Sequence, residues 1–506
     1  MAIRMTGLNS GLDTETIISQ LVSAKKTSVN SLKKAQTKLS WKIDAWKSIN
    51  TKIYSLYTGV VDKMRWDSAY DKKKSTVSTS GLVSVVAGAN SANGVQTVSV
   101  ESMAKAAYLT GGKLKATDDS TVQSSTKLTD LGITAGQTIS FTTQGKETSI
   151  EIGEDTTVDN LISQLKKAGV NASFDEGQQR IFVSAKSTGK ANDFSFSGDD
   201  ATLKALGLIE DASNEYGAVK IDGSDAVMYL NNAKFESTTN TFLINGTTYT
   251  VEGLSSKNDD GSLKESTITT TDDYDGIYDT IKNFFKEYNK LINEMDKLYN
   301  AESAKDYEPL LAEEKDALTD TEISDWETKI KDSLLRKDSS LSSVISAMTS
   351  TMTAGVTING KQMYLSSFGI NTLGYFNAEE NERHAYHING DADDSSTSGK
   401  EDVLKSMIAN DPETVKKFFS SLSNNLYKTM TDSMSRIEGY RSMYKVYNDK
   451  QLDSELSSYT TKISDAEDAL NDYEDKWYKK FSSMETALAK LSSKQSALSG
   501  LLGGSQ

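Results

Sequence analysis

Residues 456–498 read LSSYTTKISDAEDALNDYEDKWYKKFSSMETALAKLSSKQSAL, and this stretch decides the fold. A seven-residue apolar repeat without proline predicts one long helix with a seam of the kind that packs in coiled coils. Beyond Trp477 the apolar positions between the repeats shift by one residue, so the predicted stripe rotates. Gly500, Gly503 and Gly504 are predicted to end the helix. The repeating residues are Leu456, Ile463, Leu470, Trp477, Met484, Leu491 and Leu498.

The N-terminal end carries a second seam, which is less regular. Asp13 is predicted to cap its helix. Asn50 lies in the alternating row of this seam, where a buried polar residue often fixes register at some loss of stability. Two amphipathic helices on one domain would give such patterns, but we favour a coiled coil, within the chain or between subunits. The reason is that about 50 helical residues extend about 75 Å. The predicted interface residues of this seam are Leu39, Ile43, Trp46, Ile53 and Val60.

The middle of the chain has the alternating pattern of β-strands. Asn93-Gly94 predicts a hairpin or a short loop between valine-rich strands. Asn245-Gly246 predicts a sharper hairpin, because a type I′ turn needs positive φ at both positions. Between them, residues 149–184 predict a strand, a helix capped by Thr157 and a returning strand. Helices are predicted again after Asp275, with a small β element at Asn359-Gly360.

The predicted fold class is therefore α+β multidomain, with an N- and C-terminal coiled-coil helical leg and β-rich head domains inserted between helical segments. The predicted segments are 1–40 (N-terminal helical region), 41–75 (leg helix), 76–110 with 217–272 (inner β-rich head domain), 111–216 (outer head domain), 273–440 (helical leg domain with a small β element) and 441–506 (C-terminal coiled-coil region).

Composition argues against several classes of function. The 506 residues have a net charge of −15, which opposes binding to nucleic acid and to anionic lipid. No apolar run approaches the roughly 20 residues of a membrane span, and no cleavable signal peptide is visible. The chain has no cysteine, so disulfides and thiolate nucleophiles are excluded. We therefore expect neither nucleic-acid binding nor membrane insertion.

The search for chemistry yields weak candidates. His384 and His387 lie near a run of aspartates that begins at Asp391, but no third ligand of a metal site is well placed. The acidic run resembles a calcium loop, yet Ser396 stands where glycine would be required. We expect residues 391–402 to form a mobile, solvated loop. No catalytic residue, cofactor or metal is predicted, and the sequence does not indicate an enzyme.

Several separated motifs resemble the flagellar hook-associated protein 2 family, the filament caps. The opening motif is residues 6–13 with 17–22. Residues 93–104 resemble a strand of the family's head domain. The most specific similarity is in residues 307–310, 323–327 and 334–341, and residues 410–419 and 484–502 continue it. The similarity is weakest across 111–216.

The resemblance implies a homo-oligomeric ring at the distal filament tip, needed for flagellin polymerisation. It also implies export through the flagellar type III apparatus, contact with flagellin and with hook–filament junction proteins, and a chaperone on the C-terminal region. The open alternatives are another axial flagellar protein or a surface adhesin. A carbohydrate-active enzyme is a weaker alternative, because it would need two carboxylates that converge in a cleft.

Overall fold

The computed structural model describes Gly11 and residues 13–502, and of residues 500–502 only the backbone. It divides into two compact units. The helical unit joins the chain up to Tyr70 with the chain from Tyr274 onward, and the β unit is Asp71–Asp273. Predictions made for residues 1–10, for Leu12 and for the two glycines 503 and 504 lie outside the described residues.

Helices dominate the first unit. The longest, α11 (Asp449–Leu502), continues through Gly500, so the prediction that this glycine ends the helix is wrong. A single glycine weakens a helix by about 1 kcal/mol relative to alanine, which is too little to end a long one. A π-helical turn, Tyr57–Val61, joins α1 (Thr14–Leu56) to α2 (Asp62–Met64). The helices are α1 Thr14–Leu56, α2 Asp62–Met64, α3 Val158–Ala168, α4 Asp200–Ala205, α5 Tyr274–Asn300, α6 Ala312–Lys315, α7 Asp320–Asp332, α8 Ser339–Thr353, α9 Val403–Asn410, α10 Pro412–Ser433 and α11 Asp449–Leu502.

Most strands lie in the β unit, and all named strand pairs are antiparallel. The strands are β1 Lys73–Val77, β2 Val83–Val86, β3 Gly94–Ser102, β4 Tyr108–Lys113, β5 Gln137–Thr143, β6 Lys146–Ile152, β7 Val170–Asp175, β8 Arg180–Ala185, β9 Phe194–Gly198, β10 Val219–Ile221, β11 Ala226–Leu230, β12 Ala233–Ser237, β13 Thr241–Ile244, β14 Thr247–Val251, β15 Ser266–Asp272, β16 Val356–Ile358, β17 Lys361–Met363, β18 Ile370–Asn371 and β19 His387–Ile388.

The β unit has two apolar cores. The sheets β1-β15-β3-β11-β12 and β13-β14-β2 share one core, which includes Val98 and Met228. The sheets β10-β4-β8-β7 and β6-β5-β9 share the other core with α3, and it includes Phe141 and Leu161. The six-segment division of the chain drawn from the sequence stays a prediction.

The hairpin at Asn245-Gly246 is confirmed. At Asn93-Gly94 the loop, and not the hairpin, is present, because the strands on its two sides pair with other strands. β13 and β14 pair along their lengths, and φ is +47° at Asn245 and +76° at Gly246. In contrast, β2 pairs with β14, while β3 pairs with β15 and β11. The valine alternation predicts strands, but it does not say which distant strand is the partner.

The elements predicted in residues 149–184 are present, but they are connected differently. The hydroxyl of Thr157 caps α3 by accepting from the N–H of Asn160 at 3.2 Å, and Gly169 ends the helix with φ +118°. However, β6 and β8 lie in different sheets. An unpredicted strand, β7, follows the helix and pairs with β8. Its sequence VNASFD mixes small and polar residues, which gives only a weak β signal.

The helical unit is built around α5, whose apolar face is buried as predicted. Ile281, Phe284, Tyr288 and Ile292 all have exposed fractions of 0%, and they pack with residues of α8, α9 and α10. Burying each such side chain stabilises the fold by about 2–3 kcal/mol. The small β element is also confirmed, since Asn359-Gly360 joins β16 to β17.

The segment 391–402 is a largely exposed loop, as predicted, but two of its residues are buried and anchor it, and its mobility stays a prediction. Asp391 is 9% exposed and accepts a hydrogen bond from Lys282 of α5, while Thr397 is 2% exposed. The Thr397 hydroxyl donates to the carbonyl of Ile388 at 2.8 Å. An acidic, serine-rich composition indicates exposure on average, but it does not reveal a partner that lies about 100 residues away.

Candidate assembly interface

The two predicted seams lie on an antiparallel helix pair, α1 and α11. Lys33 Nζ lies 2.6 Å from Glu467 Oε1, and Gln36 Nε2 donates to Thr460 Oγ1 at 2.9 Å. Residue numbers rise along α1 as they fall along α11, so the pair is antiparallel. The predicted cap of α1 is confirmed, because Asp13 Oδ1 accepts from Thr16 N at 3.0 Å.

The two helices differ in length. α1 has 43 residues and α11 has 54, so they extend about 64 Å and about 81 Å. The contacts between them fix the register along the pair. In that register, the part of α11 beyond about Met484 extends past Thr14, the first residue of α1. The pair is therefore unequal at one end.

The N-terminal seam packs mainly into the core of the helical unit. Ile43, Trp46 and Ile53 are 4%, 1% and 1% exposed, and Trp46 and Ile53 belong to the same core as α5. Leu39 and Val60 are half-buried. The C-terminal half of α1 therefore packs mainly into the core of the helical unit.

Val60 departs from the predicted seam for a local reason. The π-helical turn Tyr57–Val61 is wider than an α-helical turn and inserts one extra residue. The fully buried residue there is Val61, with an exposed fraction of 0%, rather than Val60. The heptad count fails at this turn because it assumes unbroken α-helical geometry.

The seven repeating apolar residues of the C-terminal seam, here called the ladder, become less buried along α11. Ile463 is buried at 8% exposed, and Leu456, Leu470, Trp477 and Met484 are half-buried. The last two residues of the ladder, Leu491 and Leu498, are 62% and 60% exposed. Their role in assembly stays a prediction.

An aromatic cluster surrounds Trp477, beyond which the apolar positions between the repeats shift by one residue. The ring of Trp477 lies 6.2 Å from that of Tyr473 and 6.1 Å from that of Phe481, measured between centroids. The ammonium group of Lys480 lies 4.6 Å from the centre of the Trp477 ring. The Trp477 indole nitrogen is buried and has no hydrogen-bond partner among the described residues.

Asn50 is buried, as predicted, but its partner is the turn that precedes α11. Its Nδ2 donates to the carbonyl of Tyr444 at 3.2 Å, and its Oδ1 accepts from Val446 N at 3.0 Å. Asn50 is only 4% exposed; its bond to Val446 is buried, and its bond to Tyr444 is partly buried. These bonds hold α1 to one position of the chain leading into α11.

The turn before α11 was missed by sequence reasoning. Tyr447 stacks on Trp46 with ring centroids 5.1 Å apart. Burial, together with the nearby Asp449 carboxylate, raises the pKa of Tyr447 to about 12. Four tyrosines within residues 440–459 were the signal that could have identified it.

Residues 307–341, where the most specific resemblance was predicted, lie against α1. Lys34 Nζ lies 2.8 Å from Glu314 Oε1, and Lys42 Nζ lies 2.9 Å from Asp338 Oδ2. Within this segment, the indole nitrogen of Trp326 in α7 donates to the carbonyl of Glu308 at 2.8 Å. These two ion pairs therefore join residues 307–341 to α1.

The two histidines do not converge on one site. His384 Nδ1 lies 2.7 Å from Asp296 Oδ2, and His387 Nδ1 lies 2.6 Å from Asp394 Oδ2. The bond to the buried Asp296 raises the pKa of His384. Within the described part of the chain, no three histidine or carboxylate groups are placed to hold a metal ion. Among the described helices, none has the length and apolar character needed to cross a membrane.

Comparisons with known proteins agree on one family. Residues 10–107 match the model of the flagellar hook-associated protein 2 N-terminus, and residues 223–493 match that of its C-terminus. The C-terminal match alone covers more than half of the chain.

Individual relatives are more distant. Flagellar hook-associated protein 2 of Halalkalibacterium halodurans is 23% identical, over 98% of this chain and 99% of its own length. The protein of that name from Escherichia coli K12 is 27% identical, over 47% of this chain and 51% of its own. The D1-D2-D3 structure of the Escherichia coli flagellar cap protein FliD aligns with a TM-score of 0.44 at 18% identity, and covers 81% of this chain and 96% of that one.

Proposed function

The chain belongs to the flagellar hook-associated protein 2 family, the caps of bacterial flagellar filaments, and from that premise we propose how it acts at the filament tip. Copies of the chain form a ring, beneath which flagellin subunits are added. The cycle has no covalent step. It is driven by protein–protein contacts that form and release, and the helical unit supplies them through α1 and α11.

One observation carries this proposal: α11 ends in an exposed apolar stripe. Leu491 and Leu498 are each at least 60% exposed, although they belong to the same seven-residue repeat as the buried Ile463. Full burial of one such leucine against a partner stabilises a complex by about 1.5–3 kcal/mol. A stripe of this kind is suited to partners that are exchanged, because each contact is modest on its own.

The proposed partners succeed one another on this surface. A chaperone covers the C-terminal region before export through the type III apparatus, which needs no cleaved signal peptide. Hook–filament junction proteins, flagellin and further copies of the chain follow at the tip. The support for this order is the family membership and the exposure of the stripe.

Complementation of a deletion strain tests the proposal. The variant Leu491→Asp with Leu498→Asp places two charges in the stripe, and we expect short or absent filaments by electron microscopy. The matched control is Ser493→Asp with Ser496→Asp, which adds the same charge to the opposite face of the same helix. The control is expected to restore filaments of normal length.

Two results would count against the proposal. Normal filaments from a strain that lacks the gene would contradict the capping function itself. Full complementation by the leucine variant, at wild-type levels of secreted protein, would show that the stripe is not the contact surface.

A further inference from the structure

A positively charged cleft lies beside the α1–α11 pair, in a chain whose overall charge is negative. The cleft has a volume of 530 Å³ and is lined from three sides: by α1, by residues 303–305 and 333–336, and by the start of α11. Its apolar floor includes Leu39 and Leu334. An open cleft with an apolar floor and a charged rim has the composition of a protein-docking surface.

Most cations on the rim of this cleft have no counter-ion among the described residues. Lys38, Lys305 and Arg336 are exposed, and none of them forms an ion pair with a described residue. Lys42 is already paired with Asp338, and Glu455 is the single acid of the lining. In a chain of net charge −15, three unpaired cations around one cleft indicate an acidic partner.

The same chain carries a complementary surface on α11. Asp465, Asp468 and Asp472 are exposed and form no ion pair with a described residue. Their spacing of three and four residues places them on one face of the helix. They form a negative stripe about 10 Å long.

This stripe cannot reach the cleft of its own chain. Tyr459 and Glu455 of α11 line the cleft, and α11 continues without a break from them to Asp472. Asp472 therefore lies about 20 Å along the helix axis from Tyr459. Only another copy can place the stripe in the cleft.

We propose that the cleft binds the acidic face of α11, centred on Asp468, from a neighbouring copy of this chain. Two different surfaces meet in such a contact, so it is head-to-tail and can be repeated around a ring. It deepens the proposed function, since it rests on the homo-oligomeric ring, and it names the residues that join neighbouring helical units. Long-range attraction between these surfaces offsets the repulsion between two acidic chains.

Charge reversal tests this contact in the full chain. One variant, Lys305→Glu with Arg336→Glu, makes the cleft acidic. A second variant, Asp468→Lys with Asp472→Lys, makes the acidic face of α11 basic. Each is expected to weaken self-association about tenfold in sedimentation velocity, and the four changes in one chain are expected to restore it. The wild-type association is expected to weaken from about 50 mM to about 500 mM salt.

A matched control and a cross-link complete the test. Glu252→Lys with Asp259→Lys makes the same change in net charge as Asp468→Lys with Asp472→Lys, but at exposed positions of the β unit, and it should leave association unchanged. The chain has no cysteine, so any disulfide in the variant Lys305→Cys with Asp468→Cys joins introduced thiols, and each single-cysteine variant controls for disulfides between identical positions. We expect cross-linked oligomers on a non-reducing gel.

The possible outcomes separate this inference from the proposed function. If the combined four-residue variant is folded by circular dichroism but does not regain association, the contact is wrong. If the wild type assembles and neither reversed variant is weakened, the ring stands and only this contact is rejected. If the wild-type chain remains monomeric at all concentrations, the proposed ring fails and the contact fails with it.

Discussion

Replacing Asn50 with leucine would remove the polar link between α1 and the turn before α11. Leucine has the same branched side-chain skeleton as asparagine but bulkier terminal groups, so the change removes both hydrogen bonds while it keeps the outline of the side chain. In the wild type, Asn50 donates to the carbonyl of Tyr444 and accepts from the amide of Val446, at 3.2 Å and 3.0 Å. The Val446 amide is buried in this contact.

The expected loss of stability follows from these two bonds. A buried donor left without an acceptor destabilises a fold by about 1–3 kcal/mol. The carbonyl of Tyr444 also loses a donor, while the more apolar leucine recovers part of the difference. We therefore expect the free energy of unfolding to fall by about 2–3 kcal/mol.

Urea unfolding of the full chain, followed by tryptophan fluorescence, measures this loss as a lower midpoint with an unchanged slope. Trp46 lies one helical turn from Asn50 and is 1% exposed, so it reports on this region. Hydrogen exchange should also become faster at the Val446 amide. The control Asn471→Leu, on an exposed face of α11, should change stability by less than about 0.5 kcal/mol. A similarly small effect at Asn50, with Val446 still protected, would refute the reasoning.

Two further predictions concern other parts of the helical unit. Ile463→Asp places a carboxylate at a site that is 8% exposed, and we expect a loss of roughly 2–4 kcal/mol by urea unfolding; an unchanged midpoint would mean that the seam is not packed in solution. Asp296 raises the pKa of His384, so the stabilisation from this pair is complete below the unfolded-state pKa and is lost as the pH rises through the higher folded-state pKa. The stability difference between wild type and His384→Asn should therefore be larger at acidic than at alkaline pH, and an equal difference at both would contradict it.

Regular, local patterns could be predicted from the sequence. The seven-residue repeat predicted α1 and α11, and the apolar spacing predicted the buried face of α5. Asn245-Gly246 predicted a hairpin, because the turn and both of its strands lie within 11 residues of one another. In each case the residues that determine the element lie within or beside that element in the sequence.

Contacts between distant residues could not be predicted. β2 and β3 look alike in sequence, yet they pair with different strands that lie more than 100 residues away. Likewise, Asn50 was expected to be buried, but nothing near it identifies Tyr444 and Val446 as its partners. The π-helical turn beside Val60 is a third case, because packing rather than heptad spacing decides where a helix widens.

The pairing of β1 with β15 has a consequence for how the chain tolerates variation. About 200 residues separate the two halves of the helical unit, and a flexible loop of that length would impose an entropic penalty on closing that unit. Here Lys73 and Asp272 pair at the two ends of the insertion, so its entry and exit are fastened side by side. The inserted unit can therefore lengthen, shorten or diverge in sequence with little effect on the closure of the helical unit.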